Sequence, residues 1–185
     1  MTTALLVMDV QNGIVERFGA ATGPFLEILA SAARAARDAG VPVIHVRVAF
    51  RSGAPEASPR NAVFAERAGS FTEGEVATEI HPVLAPAPAD VVVTKRRVSA
   101  FTGSDLEVAL RSLEVDSLVL SGIATGGVVL STLRQAADLD FGLTVLSDGC
   151  LDADPEVHRV LTEKVFPRQA SVVTAGEWVR GLGVP

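Results

Sequence analysis

A single cysteine, Cys150, stands among the 185 residues. The chain therefore has no intrachain disulfide open to it, and a lone thiol fits a reducing compartment. Positive charge is also scarce: 16 basic residues face 22 acidic ones, for a formal net charge of −6. A nucleic-acid surface needs a concentrated basic face, and the one basic run, Lys95-Arg96-Arg97, is too short to supply it. Long apolar runs are missing too. The run Ala4-Leu5-Leu6-Val7-Met8 stops at Asp9, too short for a signal or membrane segment. A cytoplasmic protein without nucleic-acid or membrane partners is expected. No Gly-x-Gly-x-x-Gly follows that first run, so an α/β pattern here does not indicate a dinucleotide. His45, His81 and His158 are scattered, whereas a first-row metal needs several ligands converging. No metal and no organic cofactor are expected.

What is present is enough apolar sequence for one full core. Hydrophobic residues make up 48% and charged ones 21%, the balance of an ordinary compact domain, so residues 1–185 are read as a single domain. Short runs rich in Val, Ile and Leu at 4–8, 42–48, 91–95, 117–121, 143–147 and 171–174 alternate with helical patterns. This predicts a three-layer, Rossmann-like α/β protein, a doubly wound parallel sheet with helices on both faces. The stripe Phe25, Ile28, Leu29, Ala32, Ala33 and Ala36 predicts a helix ended by Gly40. Ser104-Asp105-Leu106-Glu107 reads as a capping box, and Asp154-Pro155 as an N-cap followed by proline at the first helical position. The stretch 51–88 has no clear periodicity, and so long an irregular connection usually has a use.

Three places hold candidate chemistry. Asp9 ends the first apolar run. An aspartate is unfavourable inside a sheet, so it either faces the crevice at the strand's C-terminal end or caps the next turn through the Gln11 and Asn12 amides. Lys95 ends the run Val91-Val92-Val93, where a buried lysine needs a partner such as an aspartate. The alternative is a solvated lysine in a basic run. Residues 122–132 form a strand end, a turn with Gly126 and Gly127, and a helix start. Those glycines allow positive φ or close approach, and the helix's free amides make an anion or oxyanion site. Cys150 follows the run 143–147 and is either a nucleophile at the same rim or a small buried hydrophobe.

Leu5-Leu6-Val7-Met8-Asp9-Val10-Gln11-Asn12, Val93-Thr94-Lys95-Arg96-Arg97-Val98-Ser99-Ala100-Phe101 and the 122–132 turn together resemble the isochorismatase-like hydrolases. That superfamily includes the nicotinamidases and carbamoylsarcosine amidases. The resemblance implies a six-stranded sheet of order 3-2-1-4-5-6, with Asp9 and Lys95 in the site. It implies a cis peptide at Ile123-Ala124 and an oxyanion turn made by Ala124, Gly127 and Val128. Most members use an Asp, a Lys and a Cys, and the cysteine position falls here on Val128, which cannot ionise or form an acyl intermediate. The true isochorismatases also lack the cysteine and protonate a vinyl ether through the Asp, but carry Gly at that position. The resemblance places a variable flap over 51–88, where Arg51, Arg60, Phe64 and Phe71 are within reach of a substrate. Gln11, Phe18, Arg51 and Phe101 are expected in the substrate pocket. The nicotinamidase branch holds a metal after the second strand, where this chain has Arg47-Val48-Ala49-Phe50-Arg51.

The function implied is hydrolysis of a small anionic metabolite without a cysteine nucleophile. Asp9 would be the general acid or base, and Lys95 would bind the substrate carboxylate and organise water. A water-activating amidase and a non-catalytic binding or regulatory member are the alternatives. A homodimer or homotetramer is implied through the helices after the fourth and fifth strands, which carry Val129, Leu133, Leu139 and Phe141.

Overall fold

The computed structural model describes residues 2–19 and 22–183. Six strands form one parallel sheet: β1 (Thr3–Met8), β2 (Val43–Val48), β3 (Val91–Lys95), β4 (Ser117–Ile123), β5 (Gly142–Leu151) and β6 (Ser171–Val173). Their spatial order is β3-β2-β1-β4-β5-β6, as the resemblance implied. Six α-helices connect or flank them: α1 (Asn12–Phe18), α2 (Thr22–Asp38), α3 (Leu106–Ser112), α4 (Leu130–Asp138), α5 (Pro155–Val160) and α6 (Ala175–Gly181).

The period of two along each strand divides the core between two layers. Ala4, Leu6 and Met8 of β1 pack with Leu106 and Leu110 of α3 and Leu133 and Ala136 of α4. Leu5 and Val7 face the other way, onto Val15 of α1, Phe25, Leu29 and Ala33 of α2, and Ala175 of α6. All of α2's predicted stripe except the half-buried Ile28 is buried. Strands buried on both faces cannot alternate polar and apolar residues, which is why these runs read as continuous. The edge strand β3 departs from this, with Val92 exposed.

Two helix starts compare differently with their sequence signals. Asp154 caps α5, its carboxylate accepting from Glu156 N at 2.8 Å. The expected capping box at 104–107 is replaced by another arrangement: Asp105 occupies the N-cap without a side-chain bond. Ser104 Oγ accepts from Leu106 N and donates to Ala100 O, tying the helix start back to the preceding turn.

Gly122, the last β4 residue to pair with β1, is required by contact. It has φ +135°, and a Cβ there would lie 2.1 Å from the carbonyl oxygen of Met8. Gly126 and Gly127 do not take positive φ. Gly126 is instead closely approached, a Cβ on it meeting Val157 and Asp152 at 3.1 and 3.2 Å.

The apolar residues expected to drive self-association are largely used within the chain. Val129 and Leu133 are fully buried and Phe141 is half-buried in the core facing α3 and α4, leaving only Leu139 substantially exposed. No helix among the described residues is long and apolar enough to cross a membrane.

Candidate active site

In a doubly wound sheet the loops leaving neighbouring strands diverge where the winding reverses, opening a crevice at the strands' C-terminal ends. Here that point lies between β1 and β4. Asp9 follows β1 directly with φ +58°, a left-handed conformation that aspartate tolerates better than most residues. Lys95 closes β3, Ala124 follows β4, and Ala153 lies just beyond β5. All four line one cavity of about 410 Å³, a volume suited to a small metabolite.

Lys95 Nζ lies 2.9 Å from Asp9 Oδ2. The same ammonium donates to Arg97 O at 2.9 Å and Val98 O at 3.0 Å. An ammonium has three donors, so every Lys95 donor is committed inside the protein. The expected contact of Lys95 with a substrate carboxylate would have to replace one of these three bonds. The other carboxylate oxygen, Asp9 Oδ1, is buried without a hydrogen-bond partner. Asp9 accepts no turn amide, so the capping alternative does not describe it.

Two opposing effects act on the Asp9 carboxyl. Burial raises its pKa above the usual carboxylate range, and the Lys95 ammonium with its hydrogen bond lowers it. Burial prevails, and the group holds its proton at higher pH than an exposed aspartate does.

The turn after β4 supplies the opposite wall. Ile123-Ala124 is a cis peptide, and Ala124 O accepts from the Gly127 and Val129 amides. Ala124, Gly127 and Val128 all line the cavity beside Asp9 and Lys95. The turn is braced from behind: Asp152 Oδ2 accepts from Gly126 N at 2.7 Å, and His158 Nδ1 lies 2.9 Å from Thr125 Oγ1. Ala100 N donates to Thr132 Oγ1 at 2.9 Å, joining the segment after Lys95 to α4.

The outer part of the cavity comes from α1 and the irregular 51–88 connection. Phe64 and Phe71 are buried with Val48 and Phe50 in a small cluster of their own, and Phe64 stacks edge-on against Phe50. Phe18, Phe64 and Phe71 line the cavity, together with Val63, Arg17 and Arg67. Of residues 51–88, Val63, Phe64, Arg67 and Phe71 thus line the cavity. Arg17 and Arg67 were missed by sequence reasoning, because nothing in their local patterns separates them from other surface arginines.

Three residues expected in the pocket lie elsewhere. Gln11 is a brace: its Nε2 donates to Val48 O and Thr78 O, and its Oε1 accepts from Val48 N at 2.7 Å. It is fully buried and joins the ends of β1 and β2 to the irregular segment. Phe101 packs against Phe141 in the core facing α3 and α4. Arg51 pairs with Glu56 and lines a separate open recess beside β3, which contains neither Asp9 nor Lys95. Arg60 is exposed and is not part of the cavity lining. Arg96 pairs with Glu73 and Glu56, and Arg97 donates to Glu56 O.

Cys150 is buried beside Gly122, away from the cavity lining. Burial pushes its thiol up to about 12, the state of an inert structural cysteine. Among the described residues no cluster of three His, Cys, Asp or Glu side chains is arranged to hold a metal ion.

A parallel sheet with a buried acid and lysine facing a glycine turn at its switch point is a site of hydrolase type. The chain belongs to the isochorismatase family, whose domain matches residues 3–177. It is 35% identical to the isochorismatase family protein YecD of Escherichia coli, over 98% of this chain and 96% of that protein. It is 32% identical to the ureidoacrylate amidohydrolase RutB of Methylobacterium radiotolerans, covering 100% and 81% of the two chains. Among solved structures, an isochorismatase family protein from Burkholderia thailandensis superimposes with a TM-score of 0.90 at 31% identity, covering 99% and 96%. A cysteine hydrolase from Pseudomonas syringae pv. phaseolicola shares the fold, with a TM-score of 0.92 at 24% identity and coverage of 98% and 92%.

Proposed function

We propose that the protein hydrolyses a small anionic metabolite, with water rather than an enzyme thiol as the nucleophile. The observation that carries this reading is the half-used Asp9 carboxylate. Oδ2 is held by Lys95, Oδ1 is buried without a hydrogen-bond partner, and Asp9 lines a cavity whose described lining contains no cysteine. Burial raises the Asp9 pKa, which suits a group that delivers a proton near neutral pH. With a vinyl ether, Asp9 protonates the enol carbon and leaves an oxocarbenium ion. Water adds to that ion and returns its proton to Asp9, and the resulting hemiketal collapses to a carbonyl compound and an alcohol. Lys95 stabilises the carboxylate after the proton leaves.

A second reading has support of its own. Several relatives, 32–34% identical, are named ureidoacrylate amidohydrolases. In an amidase, Asp9 takes a proton from the attacking water, and the Ala124–Val128 turn stabilises the oxyanion. Product analysis on isochorismate, set against a panel of small ureido acids and amides, separates the two readings. Melting shifts with these compounds and no turnover of any would overturn both in favour of a binding protein.

A further inference from the structure

The charge in the cavity is unbalanced. At its floor Asp9 is paired with Lys95. At its mouth stand two exposed arginines, Arg17 in the last turn of α1 and Arg67 in the irregular segment. No acidic residue other than Asp9 lines the cavity. Neither Arg17 nor Arg67 forms a salt bridge among the described residues; other arginines are unpaired too, but these two are the ones that line this cavity. In a chain of net charge −6, this leaves a local excess of positive charge at the opening to the buried acid. The Arg17 guanidinium lies over the Phe71 ring, 5.2 Å from its centroid, a contact that limits its freedom and holds it against the covering segment. Apart from Asp9, Lys95 and the two arginines, the lining is apolar, with Ile14, Phe18, Val63, Phe64 and Val98 among its residues.

Lys95 has no donor to spare for a substrate anion, so an anionic group must be recognised elsewhere. We propose that Arg17 and Arg67 form a carboxylate-binding pair at the mouth of this cavity. They select substrates with a short apolar body, a carboxylate at the outer end and the scissile bond at Asp9. Planar guanidinium groups match a carboxylate in geometry and cannot lose their charge. A carboxylate held by both arginines would bridge α1 and the 51–88 segment. This inference rests on the reading of the Asp9 cavity as the substrate site.

The test is a set of matched acid and primary-amide pairs: acrylate and acrylamide, butyrate and butyramide, benzoate and benzamide. Dissociation constants are measured by calorimetry at low ionic strength, where charge recognition is least screened. The best-fitting acid should bind wild-type protein about tenfold or more tightly than its amide, the scale of a charge-assisted hydrogen bond. Arg17→Gln and Arg67→Gln should each reduce that preference, and the double substitution should abolish it. Arg17→Lys with Arg67→Lys retains the charge and should keep part of the preference, which separates lost recognition from a collapsed cover. An acid preference surviving the double glutamine substitution overturns the proposal, as does a panel in which no acid binds better than its amide. The hydrolase reading is judged separately by turnover. Arginine-dependent acid binding without hydrolysis keeps this inference and sinks that one. Turnover with no arginine-dependent preference does the reverse.

Discussion

Lys95 Nζ holds Asp9 by one oxygen only: Oδ2 is 2.9 Å away, and Oδ1 is left buried without a partner. The two ends of one carboxyl group thus have different surroundings. Here the lysine is anchored by two backbone carbonyls, and burial outweighs its charge in setting Asp9's proton affinity.

Asp9→Asn is nearly isosteric and removes the transferable proton. Turnover of any identified substrate should fall by about 10²–10⁴-fold, the usual contribution of general acid–base catalysis. The circular dichroism spectrum should match wild type. Retention of full activity would reduce Asp9 to a structural residue.

Lys95→Met leaves Asp9 buried with only desolvation acting on it. At neutral pH this should cost about 3–5 kcal/mol of stability, the penalty for breaking a buried pair. The sign with pH follows from the raised pKa. A carboxyl whose folded pKa lies above its unfolded value contributes most stability when protonated, and loses it as pH rises through the folded value. Urea midpoints of Lys95→Met and wild type should therefore converge as pH is lowered and diverge as it is raised. A gap independent of pH would mean the loss comes from packing alone.

His45 is fully buried, with Nε2 3.2 Å from Asp90 and Nδ1 unpartnered. Burial lowers its pKa from the ordinary 6.5, against the pull of Asp90. A depressed folded pKa gives stability that is present above pH 6.5 and lost as pH falls toward the folded value. Half-buried His158 is shifted the same way and adds to the effect. Wild-type urea midpoints should fall as pH drops below that value, and His45→Gln should flatten part of the fall. An unchanged slope in the variant would assign the acid sensitivity to other groups.

Cys150 and a thiol placed at residue 128 should differ sharply. With its thiol pushed up to about 12 and its side chain buried, Cys150 should alkylate slowly at pH 8, and Cys150→Ser should retain activity. In that background, Val128→Cys places a thiol in the cavity, beside the lysine and the helix start. Its iodoacetamide rate should rise with pH around a midpoint below the ordinary value of about 8.5. A midpoint at or above that value, or no labelling of the folded protein, would show that residue 128 is not presented to the site.

Local pattern carried most of the fold. The runs around Leu6, Ile44, Val93, Leu120 and Val145 mark strands because burial on both faces imposes itself residue by residue. Asp9 and Lys95 are legible for the same reason: a charged residue that ends an apolar run must lie at the strand's end, where the crevice opens. What the sequence does not carry is pairing over distance. Gln11 reads as a pocket residue until its amide is seen bridging to Val48 and Thr78, 37 and 67 positions away. Arg17 and Arg67 look like any surface arginine until α1 and the 51–88 segment meet over the same cavity. The Asp9 pKa is likewise a tertiary outcome. Burial and the Lys95 charge act in opposite directions, and only the packed structure sets how much solvent each excludes. Strand identity is a short-range property determined by the sequence alone. Which side chains share a cavity, and with what proton affinity, depends on chain segments brought together by the sheet.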